Sequence, residues 1–476
     1  MRSTSLLALL STYGILLAIV MAIVQRRENW TGWTLVLLSG YALYAWIDPA
    51  GFVWLIGVTL VCYAAARLQH HPSPSVSRWA FAIGILAIVV PLLGMKMWSL
   101  ARGSSLGSVI PGLAGTLLPL GTSFYSLQAL SYLIDVRRGT TPVEMNFGRF
   151  ALYLGFFLQL FAGPVERARA TIVQFAKRPV ILPGAVLLAT ELILWGLFKK
   201  LVLADRIAYL LNDFWQHAPT SGSALIALYA LLSYIRIYAD YSAYMNIVSG
   251  GALLLGIRLS PSFLQPYLAR TVREFWRRWN ITVSMWFRDY VYIPLGGSRK
   301  GTGRWILAIL VTFLLSGVWH GSGWQFLLWG TLHGAWLVLE AGVTASFRRA
   351  CHAPLPKFLR GLFSAIGWVC TTAFVSVTFL LFQAPNLGKA FTLLERARFL
   401  QWHQLLATFP LRTFDLGIIA AAAVLVLIVD TRNDPRSDTL PAGQPLFLRM
   451  FWIGCCLLLI LHLGLFAESP FIYFRF

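Results

Sequence analysis

His320 and His333 lie in a run of 35 residues, Trp305 to Leu339, that holds no Asp, Glu, Lys or Arg. Leu or Phe would sit in so apolar a stretch at lower cost, so an imidazole there points to a task. The chemistry an imidazole offers is general-base work: it accepts the proton of an alcohol while that alcohol attacks an activated carbonyl. Trp319 and Gly321 flank His320. For His333 a hydrogen-bonded packing role is an equal reading. Twelve residues separate the two histidines with no Cys, Asp or Glu nearby, so no metal site is expected. Intramembrane His together with Asp is also relay chemistry, which keeps a transporter or channel-like component of an acyl or proton relay as the alternative class.

Other chemistry-bearing residues precede these histidines. Asp240 and Arg236 are four apart, so on a helix they share a face and can neutralise one another; Ser242 follows. Between Arg270 and Tyr290, the apolar positions Val272, Phe275, Trp276, Trp279, Val283, Trp286, Phe287 and Tyr290 follow helical spacing. One helix with an aromatic face and an arginine face is expected, lying flat in a membrane interface. Its arginines, Arg273, Arg277 and Arg278 with Arg288 beyond, either anchor it or pair with phosphates of a cytosolic donor. Asn280 is the one amide of this helix able to point inward. The run Gly296-Gly297-Ser298-Arg299-Lys300-Gly301 reads as a basic turn, since the strand–loop–helix setting of a phosphate loop is missing. There is no His-x4-Asp pair.

The elements that must position these residues are membrane spans. The chain is 58% hydrophobic and 12% charged, against about 25% charged in a soluble domain. Leu6–Val24, Trp79–Met95, Gly361–Ala384, Leu416–Val429 and Met450–Ala467 carry no charged residue. Further candidates lie near Trp33–Ile47, Phe52–Ala66, Leu117–Ile134, Phe147–Gly163, Ile181–Phe198 and Ser223–Ile247. The run holding the histidines makes more than one pass, broken at Gly321-Ser322-Gly323. These predict an all-α polytopic membrane protein with about 11–13 transmembrane or re-entrant helices and a single domain over residues 1–476. Within it a core of about 117–340 is flanked by N-terminal spans over 5–100 and C-terminal spans over 361–468. Leu6–Val24 reads as a retained first span and not as a cleaved leader. The net charge of +21 sits in short loops, where it sets topology; nucleic acid is not an expected partner. The five cysteines show neither a disulfide framework nor zinc spacing.

Three blocks then carry a resemblance. Arg273-Glu274-Phe275-Trp276-Arg277-Arg278-Trp279-Asn280, Trp286 through Gly297, and Ser316-Gly317-Val318-Trp319-His320-Gly321 resemble the bacterial membrane-bound O-acyltransferases. The similar branch is that of alginate and exopolysaccharide O-acetylation. Leu120 through Tyr125, Gly163-Pro164, Gly196 through Lys200 with Ala204-Asp205-Arg206, and Ser469 through Phe474 are similar to it as well. The resemblance implies a funnel-shaped helical core with His320 as the catalytic histidine near its constriction. The second catalytic position, often His in this branch, is Asn280 here, kept as a polar orienter. Asp240 and Ser242 match an Asp-Phe-Ser-Gly-Tyr block in which Ala243 replaces the glycine. Trp279, Trp319 and His333 are expected along the channel.

The reaction the resemblance implies is transfer of an acyl group, expected to be acetyl, from a cytoplasmic thioester donor such as acetyl-CoA, with no bound cofactor. The acceptor is a hydroxyl of an exported polysaccharide, reached directly or through a periplasmic acetyltransferase- or esterase-like partner. A lipid, peptidoglycan or teichoic-acid acceptor is the alternative within the family. Membrane lipids of a bacterial inner membrane surround the chain in this reading.

Overall fold

The computed structural model describes residues 16, 31–102, 119–177, 183–217, 222–321, 323–350, 356–398, 413–432, 445–466 and 471–472. The expected span Leu6–Val24, apart from one residue, and all but two residues of the block Ser469–Phe474 lie outside them.

Regular structure among the described residues is all helical. In chain order the helices are α1 Thr31–Ile47, α2 Pro49–Leu68, α3 Pro74–Arg102, α4 Thr122–Arg137, α5 Phe147–Gly155, α6 Phe157–Leu160, α7 Ala168–Phe175, α8 Pro183–Phe198, α9 Asp205–His217 and α10 Ser223–Leu254. They continue as α11 Val272–Arg278, α12 Ile281–Phe287, α13 Thr302–His320, α14 Trp324–Ala350, α15 Lys357–Phe382, α16 Leu387–Arg396, α17 Thr413–Arg432 and α18 Leu446–Leu463. Eight of the described helices (α2, α3, α10, α13, α14, α15, α17 and α18) are long and apolar enough to cross a membrane. Their outer faces carry large exposed apolar side chains such as Phe358 and Phe414, which water would penalise and lipid covers. The protein is an integral, multi-pass membrane protein.

The chain forms two compact units: Met1–Trp195 with Tyr244–Ser260 and Glu468–Phe476, and Gly196–Ala243 with Pro261–Ala467. In the first, Asp48 caps α2 by accepting from Gly51 N–H at 2.9 Å and also takes Leu120 N–H at 2.8 Å. The expected span Phe147–Gly163 is broken there: Phe156 is extended between α5 and α6, leaving both too short to cross. Buried Glu166 ties this region together by accepting from Ser260 N–H at 2.5 Å and Ser260 Oγ–H at 3.0 Å.

In the second unit, α13 and α14 form an antiparallel hairpin. Their backbones meet where side chains are absent. A Cβ on Gly317 would lie 2.5 Å from the Phe326 carbonyl oxygen, and one on Gly330 would overlap that of Phe313. Small residues at these points let two spans pack backbone to backbone. The break falls at 321–323, as the sequence indicates.

The single amphipathic helix expected over Arg270–Tyr290 is instead two short helices and a π-turn, Arg288–Tyr292. The apolar spacing is helical on both sides, but the backbone turns at Trp279–Asn280. Asn280 takes a left-handed conformation, φ 40°, which asparagine tolerates better than most residues. Backbone groups freed at the break are satisfied by the chain just before α11. Leu264 N–H donates to Arg278 C=O at 2.9 Å, and Ile281 N–H donates to Ser262 C=O at 3.0 Å. The start of α11 is capped twice: Thr271 Oγ1 accepts from Glu274 N–H, and Glu340 of α14 accepts from Val272 N–H at 2.7 Å.

Candidate active site

His320 is the last residue of α13 and is 5% exposed. Its ring is boxed edge to face by Trp319, Trp329 and Phe382, with centroids at 4.7, 4.9 and 5.4 Å. Position 321 admits no side chain, because a Cβ there would run into the Phe326 ring. An imidazole walled by aromatic rings is dry, which strengthens every polar contact it makes with a substrate.

Trp329 lies between the two histidines, 4.9 Å from the His320 ring and 4.8 Å from that of His333. It is almost fully buried, and its Nε1–H has no acceptor among the described residues. A buried indole N–H without a partner is costly, so a donor left open beside His320 is notable.

His333 is completely buried and both its ring nitrogens are engaged. Trp276 Nε1–H donates to Nδ1 at 3.3 Å, and an indole nitrogen only donates, so Nδ1 is the bare nitrogen. The proton is then on Nε2, which faces Thr378 Oγ1 at 3.0 Å; that hydroxyl in turn donates to Val375 C=O at 3.0 Å. The chain of donors fixes one neutral tautomer. With both nitrogens occupied, His333 ties α11 to α14 and α15, the role of a packing histidine.

Trp279, 2% exposed, stacks on Phe275 at 5.2 Å and touches Phe263 and Phe379 at 5.0 Å each. Phe379 also meets Trp329 and Phe382, so Trp279 and His320 belong to one aromatic cluster. The adjoining Asn280 is 2% exposed, and its Oδ1 accepts from Tyr241 O–H at 3.4 Å, the outer limit of a hydrogen bond. Its amide is held loosely.

Asp240 and Ser242 lie on α10 and are engaged by their own partners. Asp240 accepts from Lys200 Nζ at 2.7 Å, and the same ammonium lies 2.9 Å from Asp205. Lys199 and Lys200 begin a π-turn, Lys199–Ala204, whose wider coil turns both buried lysines into the unit. Lys199 faces Asp430 at 3.5 Å, and Arg206 pairs with Asp415. Four basic groups, Lys199, Lys200, Arg206 and Arg236, and two acidic ones, Asp205 and Asp240, are buried here, and the half-buried Asp415 and Asp430 bring the set to neutrality. The sequence offers Arg236, four residues away, for Asp240; the structure adds a lysine forty residues upstream, and Arg236 also donates to Gln383 Oε1 at 2.7 Å. Ser242 Oγ–H donates to Ala239 C=O within its own helix.

The four candidate arginines divide. Arg278 is committed to structure, with Nε and Nη2 on Glu274 Oε1 at 3.0 and 2.8 Å and Nη1 on Leu264 C=O at 3.1 Å. Arg288 pairs with its neighbour Asp289 at 2.8 Å. Arg273 and Arg277 are exposed, and their guanidinium groups have no partner among the described residues. Trp329, Phe379, Phe382 and Thr378 are additions that only the structure supplies. One of them had a signal in the sequence: Trp329 and His333 are four apart on one helix and so share a face.

Comparison with known proteins bears on this geometry. The family model for membrane-bound O-acyltransferases matches residues 52–383, which include His320, Asn280 and the arginine-bearing helices. The chain is 31% identical over 478 residues to the probable alginate O-acetylase of Pseudomonas putida, covering 95% of each. It is 34% identical over 379 residues to that of Pseudomonas aeruginosa, covering 76% of this chain and 68% of the relative. A peptidoglycan O-acetyltransferase of Helicobacter pylori is 29% identical over 500 residues, covering 93% of this chain and 91% of the relative. A matched model over more than half the chain, with relatives above 30% identity along most of its length, leads to one conclusion: the chain belongs to the membrane-bound O-acyltransferase family.

Proposed function

We propose that this O-acyltransferase moves an acetyl group from a cytoplasmic thioester, acetyl-CoA, to a hydroxyl of an exported polysaccharide, with His320 as the base. The observation that carries the assignment is the setting of His320, a buried imidazole at a helix end inside an aromatic box, within the span matched to the family. His320 accepts the acceptor's hydroxyl proton as its oxygen bonds to the thioester carbonyl carbon. The carbon–sulfur bond then breaks, and the departing thiolate takes the proton from the imidazolium. The open Trp329 Nε1–H donates to the carbonyl oxygen as charge builds on it. Asn280, loosely held, orients donor or acceptor. Arg273 and Arg277, exposed and unpaired, take the donor's phosphates. His333 supports the box through the bond from Trp276.

A polysaccharide acceptor is supported by the names of the relatives, alginate O-acetylases and a peptidoglycan O-acetyltransferase. The inner membrane is the site at which such a chain meets a cytoplasmic donor and an exported polymer, which it acylates directly or through a periplasmic partner. The test is thioester turnover by detergent-purified protein, wild type against His320→Ala, with acetyl-CoA and longer acyl-CoAs. We expect acetyl-selective turnover that falls by about 10²–10⁴ in the variant. Equal turnover in both proteins would remove His320 as the base.

A further inference from the structure

Away from His320, the second unit holds a groove of about 900 Å³. Arg270, Glu274 and Arg278 form one wall; Arg360, Ser364 and Trp368 of α15 form the other. The walls are locked together. Trp368 Nε1–H donates to Tyr267 C=O at 2.8 Å, and Gly367 lets α15 close on the Arg270 carbonyl, which would lie 2.7 Å from a Cβ there. Charge in the groove is unbalanced. Glu274 spends one carboxylate oxygen on Arg278 and the other on Arg270 N–H at 2.9 Å. The exposed guanidinium groups of Arg270 and Arg360 are left with no ion pair or hydrogen bond among the described residues. Two unpaired guanidiniums facing one groove are a receptor for a phosphate.

The surroundings decide which phosphate. Arg360 lies in the first turn of α15, a candidate span, so its head is at the level of lipid headgroups. Deeper along α15, Ile366, Trp368 and Val369 are 48%, 45% and 55% exposed, an apolar surface continuous with the groove. Such a surface suits acyl chains. We propose that this groove binds an anionic phospholipid, its phosphate held between Arg270 and Arg360 and its chains laid along α15. The site is separate from the acyl-transfer chemistry and does not depend on it.

The test is lipid binding to the intact, detergent-purified chain by native mass spectrometry. Wild type, Arg360→Gln, Arg270→Gln/Arg360→Gln and the control Arg299→Gln would be titrated with phosphatidylglycerol, phosphatidylcholine and coenzyme A. The expected result is at least about ten-fold preference for phosphatidylglycerol, partly lost in Arg360→Gln, abolished in the double variant and kept in the control; each tenfold is about 1.4 kcal/mol. Equal binding of the two lipids by wild type, or undiminished phosphatidylglycerol binding by the double variant, overturns the proposal. Displacement of phosphatidylglycerol by coenzyme A, lost in the double variant, would reassign the arginines to the donor and also overturn it.

Discussion

Lys200 sits between two carboxylates, Asp240 at 2.7 Å and Asp205 at 2.9 Å, with all three side chains at most 5% exposed. Coulomb attraction at 2.7 Å is about 6 kcal/mol at an effective dielectric of about 20. Most of that is offset by desolvation, and breaking a buried pair by removing one partner costs about 3–5 kcal/mol when the other charge is stranded. Here one removal strands nothing. In Asp240→Asn, Asp205 still neutralises the ammonium, and in Asp205→Asn, Asp240 does. Each single substitution should therefore cost only about 1–2 kcal/mol, in the range of one charge-assisted hydrogen bond, while the double substitution costs the full 3–5 kcal/mol or more. The loss is then super-additive, with a coupling of about 1–3 kcal/mol, as expected for residues sharing one partner. Denaturant unfolding of the four proteins in detergent measures it, with thioester turnover per folded molecule recorded alongside. Additive losses would show that Lys200 does not couple the two carboxylates. Turnover abolished in Asp240→Asn with stability intact would place Asp240 in the chemistry and refute its structural role.

Trp329→Phe keeps a ring against His320 but removes the open donor, so turnover should fall by about 10² with little change in melting temperature; unchanged turnover would strike Trp329 from the reaction. Thr378→Val leaves the His333 Nε2–H without its acceptor and should cost about 1–3 kcal/mol in the same unfolding assay, whereas a neutral effect would show that this hydrogen bond does not hold the fold. Gly330→Ala forces a methyl into the Phe313 carbonyl and should cost about 1–3 kcal/mol, read as a lower melting temperature and lower membrane levels. Burial pushes the Glu166 carboxyl above its ordinary value, more than the bonds from Ser260 and Thr171 pull it back. The folded state thus holds a proton that the unfolded chain releases at about pH 4.3, so this contribution to stability is full below that pH and lost as pH rises through the folded value. Glu166→Gln should flatten that part of the melting-temperature profile, and an unaltered slope would show that another group sets it.

The sequence determined this protein's class and its chemical centre. Uncharged runs long enough to span lipid leave no other solvent for them, so α2, α3, α10, α13, α14, α15, α17 and α18 follow from composition and length. His320 was legible because an imidazole stands out in 35 residues that hold no Asp, Glu, Lys or Arg and only one other histidine, His333. Asn280 was legible as a buried amide, but not as a backbone turn, because apolar spacing runs through the break unchanged and only φ shows it. Tertiary structure decided what periodicity along one helix cannot see. It gave Asp240 to Lys200 from another element, and it closed both nitrogens of His333 with Trp276 and Thr378, fifty-seven and forty-five residues away. It set Trp329 against His320 because Gly317 and Gly330 let α13 and α14 approach to backbone contact. Pairing and stacking are properties of surfaces that meet across chain separations, and a one-dimensional pattern records only which face each residue is on.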